Sequence, residues 1–184
     1  MTAAGTTGFQ FIGGRLALDL VNTVANRLGE ARDYLSDDAA LDRWSRLAGL
    51  PQAPRSLRDA RTLREELHAV FHPLALGTPV TDEAMAPLNR RLGPALAGRL
   101  LRVRDGDVVW SSRTTDAIEI ILLDAAELLT SGAWRKLRQC EDEACGWLFL
   151  DASRSGARRW CRMADCGNRA KARRHYRRIS SSKG

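Results

Sequence analysis

Apolar positions recur along most of this chain at helical spacing, and the exceptions are few and short. Residues 9–27 open with an apolar piece and a Gly13-Gly14 break, after which Leu16, Leu20, Val21 and Val24 fit one helical face. Ser36-Asp37-Asp38 reads as a helix start that carries Leu41, Trp44, Leu47 and Ala48 inward until Gly49 and Pro51 stop it. Residues 55–76 predict a long helix with Leu57, Ala60, Leu63, Leu67, Val70 and Phe71 on its apolar side. Thr81-Asp82-Glu83 opens another, which ends at or soon after Gly93-Pro94. Leu100–Arg104 and Val108–Ser112 then flank Asp105-Gly106, a two-residue turn signal that predicts a β-hairpin. Residues 114–130, with Ile118, Ile121, Leu122, Ala125, Leu128 and Leu129, form the most apolar helix, and Gly132 closes it.

This pattern predicts a mainly α fold with one small β-hairpin over residues 1–132, followed by a second, α+β module over 133–184. No internal repeat is visible. No apolar run approaches the ~18 residues of a membrane span, and residues 1–8 lack the basic and apolar segments of a signal peptide. The expected location is therefore the cytoplasm, where disulfides are rare and clustered cysteines more often hold metal.

All four cysteines lie in the second module, as Cys140-x4-Cys145 and Cys161-x4-Cys166 with fifteen residues between the pairs. Two close pairs divided by a short loop suit a tetrahedral ion, and four soft ligands favour one closed, structural Zn²⁺. The competing reading is four buried or redox-active thiols. It fits poorly with the charged neighbours Glu141, Asp142, Glu143, Arg162 and Asp165, and a module this small needs metal to supplement its core. Arg138–Leu150 reads as a hairpin with the first pair at its turn and Trp147 and Phe149 on one face. A helix starting near the second pair completes a treble-clef-like finger.

Charge divides along the same boundary. The chain carries a net +7, but residues 1–134 hold 15 Lys/Arg against 17 Asp/Glu, and residues 135–184 hold 14 against 5. A basic tail of this kind seeks phosphate or an acidic surface. Arg158, Arg169, Lys171, Arg173, Arg174, Arg177 and Arg178 are the candidate nucleic-acid contacts. Arg169, Arg173 and Arg177 form an i, i+4 row whose mutual repulsion a polyanion would relieve. The opposing reading gives some of these arginines to balancing the charge of about −2 on a zinc tetrathiolate, with Arg159, Arg162 and Arg169 nearest the ligands.

Two segments resemble known families. Trp147, Phe149, Asp151 and Ser153, then Arg159-Trp160-Cys161-x-Met163, then Cys166-Gly167-Asn168-Arg169-x-Lys171, resemble the CGNR zinc finger. Gly13-Gly14-Arg15-Leu16-Ala17-Leu18-Asp19-Leu20-Val21-Asn22-Thr23-Val24 resembles the start of the stress-induced transcription regulator domain that usually precedes that finger. The resemblance implies a bacterial transcriptional regulator of the stress response that binds DNA. Between residues 30 and 130 only the helical pattern stands out.

Arg15, Asp19, Asn22 and Thr23 are polar residues in an otherwise apolar segment. Either they line a pocket for a small effector, or they form a buried hydrogen-bond network. An effector pocket would make residues 1–132 a sensor, and an enzyme using Arg15, Asp19 and Asn22 is a further alternative. No Ser/His/Asp set, phosphate-binding glycine loop or paired-carboxylate motif supports catalysis, so the expectation is a non-enzymatic regulator. A zinc-stabilised protein-docking module is the other reading. A homodimer fits a regulator that reads two half-sites, although no heptad seam is present.

Overall fold

The computed structural model describes residues 8–97, 99–112 and 114–181. A short helix α1 (Leu16–Val21) leads into a two-residue strand pair, β1 (Val24–Ala25) with β2 (Arg32–Asp33). Helices α2 (Asp38–Leu47), α3 (Leu57–Ala75) and α4 (Asp82–Ala97) follow, then the hairpin β3 (Arg99–Arg104) and β4 (Asp107–Ser112), then α5 (Ala117–Thr130). The second module holds the antiparallel pair β5 (Leu137–Gln139) and β6 (Leu148–Leu150), one wide helical turn (Met163–Gly167) and the terminal helix α6 (Asn168–Ser181). The mainly helical fold with small antiparallel strand pairs is the expected class, and the β1–β2 pair is an addition to the one hairpin expected within residues 1–132. Among the described residues no helix is long and apolar enough to cross a membrane.

Helix α3 is the spine. Ala60, Leu63, Leu67, Val70 and Phe71 recur at helical spacing and are fully buried against α1, α4 and α5. Helix starts follow from side chains that satisfy free backbone N–H groups. Asp37 accepts from Ala40 N at 2.7 Å, Ser56 from Asp59 N, and Asp116 from Ile118 N and Glu119 N.

Two details of the helical reading change. Leu47 remains 54 % exposed, because α2 buries Ala40, Leu41, Trp44 and Ser45, and Leu47 lies about a quarter-turn from that face. Helix α1 ends at Val21, so Val24 is a strand residue. Thr23 folds back with both N and Oγ1 on Leu20 O, at 3.1 and 2.7 Å. Asn22 turns its amide away to the second module.

That contact joins the two modules. Asn22 Nδ2 donates to Leu148 O at 2.8 Å and Asn22 Oδ1 accepts from Leu148 N at 2.9 Å, so a buried side chain supplies both bonds of a missing strand neighbour. Trp147 Nε1 donates to Val24 O, and Leu150 N to Gly13 O. Along β6, Leu148 enters the large helical core while Trp147 and Phe149 enter a smaller core with the four cysteines. The period-2 alternation of a strand puts these residues on opposite faces.

The four residues considered as a pocket are engaged in the fold. Thr23 Oγ1 also accepts from Arg64 Nη1 at 3.2 Å. Arg15 pairs with Asp124 at 2.9 Å and with Glu127 at 3.1 Å. Asp19 accepts the Gly13 N–H at 2.8 Å.

Asp19 is the costly member. Burial pushes its carboxyl up to about 7, against the opposing pull of the Gly13 and Ile12 backbone N–H groups. The folded protein therefore holds this proton more tightly than the unfolded chain, so stability falls as pH rises from about 4 through 7. We expect Asp19→Asn, which keeps the acceptor for Gly13, to gain on the order of 2 kcal/mol at pH 8 and nothing at pH 4. Chemical denaturation of both chains at the two pH values measures this; equal stability at pH 8 would refute it.

Candidate metal centre and basic helix

Cys140 leaves the end of β5 and Cys145 lies three residues before β6, so the first pair occupies a hairpin turn, as expected. Cys161 precedes the wide turn at 163–167 and Cys166 lies within it. All four are buried and free of disulfides. Their sulfur atoms lie within 4.8 Å of one another, with Cys145–Cys161 at 3.7 Å and Cys161–Cys166 at 3.4 Å. A Zn–S bond of about 2.3 Å gives a tetrahedron with edges of about 3.8 Å, which these separations fit.

Hydrogen bonds from Cys145 and Cys161 hold Cys140 down to about 2, while the bond shared with Cys140 pushes Cys145 and Cys161 above the ordinary thiol range. Burial does the same to Cys166. A dication held by the four sulfurs would favour the thiolate at each of them, because each ligand would face a positive centre.

Around the sulfurs, backbone and cations are already arranged for negative charge. Cys161 N donates to Cys140 Sγ at 3.4 Å, and Arg169 Nη2 donates to Cys166 Sγ at 3.0 Å. The knuckle is completed from the other module: Arg27 N donates to Cys145 O at 3.1 Å and Leu28 N to Ala144 O at 3.2 Å. Gly146 makes this approach workable. It has φ 71°, and a Cβ there would lie 3.1 Å from both Arg27 Cβ and Leu28 Cγ.

Residues 14–132 match the family described as "Putative stress-induced transcription regulator" (ABATE). The chain belongs to the ABATE family. Residues 136–179 match the CGNR zinc finger, and with the sulfur geometry this makes the centre a site for one structural zinc ion. No curated protein matches the chain. The ABATE region and the finger share the Asn22, Trp147 and Arg27–Leu28 contacts already described.

The basic residues divide into two groups. Arg158 stacks on Phe149 at 4.2 Å and donates to the carbonyls of Trp160 and Cys161. Arg169 and Arg173 both reach Asp142 Oδ2, at 3.2 and 3.0 Å, and Arg177 reaches Glu143 Oε1 at 2.9 Å. The i, i+4 row therefore faces the acidic first knuckle and fastens α6 to it. Arg159, in the loop before Cys161, pairs with Glu141 of the same knuckle at 2.6 Å. Lys171, Arg174 and Arg178 are exposed and form no ion pair among the described residues.

Asp142 is the functional residue that sequence reasoning missed. Its charge counted against a reading of buried thiols, yet Asp142 is itself only 1 % exposed. Burial would raise its carboxyl, but Arg173, the Ala144 N–H and Arg169 together hold it below the usual range. The available signals were the acid two residues before Ala144, whose N–H it accepts at 3.2 Å, and an arginine row that required an anion.

We expect Asp142→Ala to bind one zinc per chain yet lose about 2 kcal/mol and the amide-exchange protection of α6. Cys161→Ser should lose the metal itself. Zinc assay, thermal melting and hydrogen exchange on both variants separate the effects; full α6 protection in Asp142→Ala would show that the arginine row does not anchor the helix.

Proposed function

We propose that this chain is a non-enzymatic transcription regulator that grips DNA phosphates through the outward stripe of α6. The supporting observation is the division of cations on that helix. At about 100° per residue, Arg174, Arg178 and Lys171 fall within about 60° of arc, roughly 130° around the axis from the Arg169–Arg173–Arg177 row. One row neutralises the finger's own acids, and the other remains available to a polyanion.

Cys140, Cys145, Cys161 and Cys166 would hold the ion, which would supply a fixed centre for the knuckle; Asp142 and Glu143 on that knuckle pair with Arg169, Arg173 and Arg177 and orient α6. Phosphate contacts of this type provide affinity and register, and they release counterions, so affinity falls steeply with salt. An acidic protein surface would satisfy the same three cations, and a duplex titration separates the two partners.

The test is binding of fluorescent duplex DNA between about 50 and 200 mM salt, on zinc-loaded protein. Replacing Lys171, Arg174 and Arg178 together with Ala should leave zinc content and melting unchanged. It should also reduce the slope of log K against log salt by about 3, roughly one for each lost phosphate contact. Wild-type protein that ignores DNA at low salt, or a triple variant with the wild-type slope, would sink the proposal.

A further inference from the structure

The hairpin β3–β4 carries the largest group of exposed apolar side chains among the described residues. Its register pairs Leu101 with Trp110 and Val103 with Val108, and strand alternation places these four on one face. They keep 60, 61, 74 and 67 % of their surface respectively. Arg102, Arg104 and Asp107 all project from the opposite face. Leu100 and Val109 share that second face but are less exposed, at 48 and 36 %, so the face of Leu101, Val103, Val108 and Trp110 is the more apolar and the more exposed of the two. Asp105 and Gly106 form a tight turn with φ of 52° and 88°, which fixes the register that sorts the residues this way.

A two-stranded ribbon is marginal in water without a covered apolar face. Four large side chains exposed to this degree make a patch near the ~400 Å² above which a soluble surface calls for a partner.

We infer that this face pairs with the same face of a second copy of the chain, the two ribbons packed antiparallel about a two-fold axis. Area and charge select this occupant. Two such patches with their rims reach the ~1,000 Å² total of a specific interface. Antiparallel packing also sets the base of each ribbon against the tip of the other.

The base carries Arg99, on the apolar face, with its guanidinium over the Trp110 ring at 4.8 Å. Its Nε is shielded from solvent and has no hydrogen-bond acceptor among the described residues. The tip carries Asp105. Each Arg99 thus meets the partner copy's Asp105, and the contact forms twice. A dimer assembled in this way also holds two copies of α6 in fixed relation, as a two-half-site regulator needs. The pairing stands on the ribbon alone and does not require DNA binding.

Sedimentation equilibrium of zinc-loaded full-length protein at tens of micromolar tests this. Wild type should sediment as a dimer, and Leu101→Ser with Trp110→Ser should be at least tenfold weaker in self-association, with zinc content and far-ultraviolet circular dichroism unchanged. Arg99→Asp and Asp105→Lys chains should each be monomeric alone, because like charges then meet at both ends. Mixed in equal amounts they should form a heterodimer, since both opposed pairs are restored. Monomeric wild type, a dimer insensitive to the Leu101/Trp110 change, or a mixture that stays monomeric would each overturn the inference.

Discussion

Strand β6 is three residues long and has two faces, and the organisation of the molecule depends on both being buried. Leu148 points into the helical core with Leu63, Leu67 and Phe71, while Trp147 and Phe149 point into the small core around the cysteines. A strand so placed cannot leave its backbone unpaired, because buried N–H and C=O groups without partners cost too much. One edge is served by β5. The other is served at Leu148 by the amide of Asn22, at the point where α1 ends. The early end of that helix, the fold-back at Thr23 and the strand at Val24 all serve this one requirement.

The helical framework was legible because it rests on periodicity and caps, which are local. The buried faces of α3 and α5, the Asp37 start and the Asp105-Gly106 hairpin come from residues within a few positions of one another. The cysteine cluster was legible from spacing for the same reason. What was not legible depends on partners far away in sequence. Asn22 acquires its role from residue 148, and Asp142 from residues 169 and 173. Nothing near Leu47 indicates that its quarter of α2 faces water.

The basic tail illustrates this limit. Counting charges finds a polyanion-seeking segment, but it cannot tell a cation that neutralises the protein from one that is available to a ligand. That distinction is rotational. It depends on which side of α6 the first knuckle lies, and Asp142 and Glu143 fix that side. Arg169, Arg173 and Arg177 are thereby tied to the finger's own acids, whereas Lys171, Arg174 and Arg178, spread over only eight residues of the same helix, face outward.

The bonds from Arg27 N and Leu28 N to the carbonyls of Cys145 and Ala144 bear on how such a chain can diversify. A finger whose knuckle is finished by a loop more than a hundred residues upstream is not a portable cassette. Transplanted alone, it would leave two carbonyls and the Trp147 Nε1–H without the partners that residues 24–28 now supply. Recombination between relatives would have to carry the loop and the finger together. The positions facing each other across this seam, Gly29 against Ala144 and Gly146 against Leu28, would have to change as matched pairs.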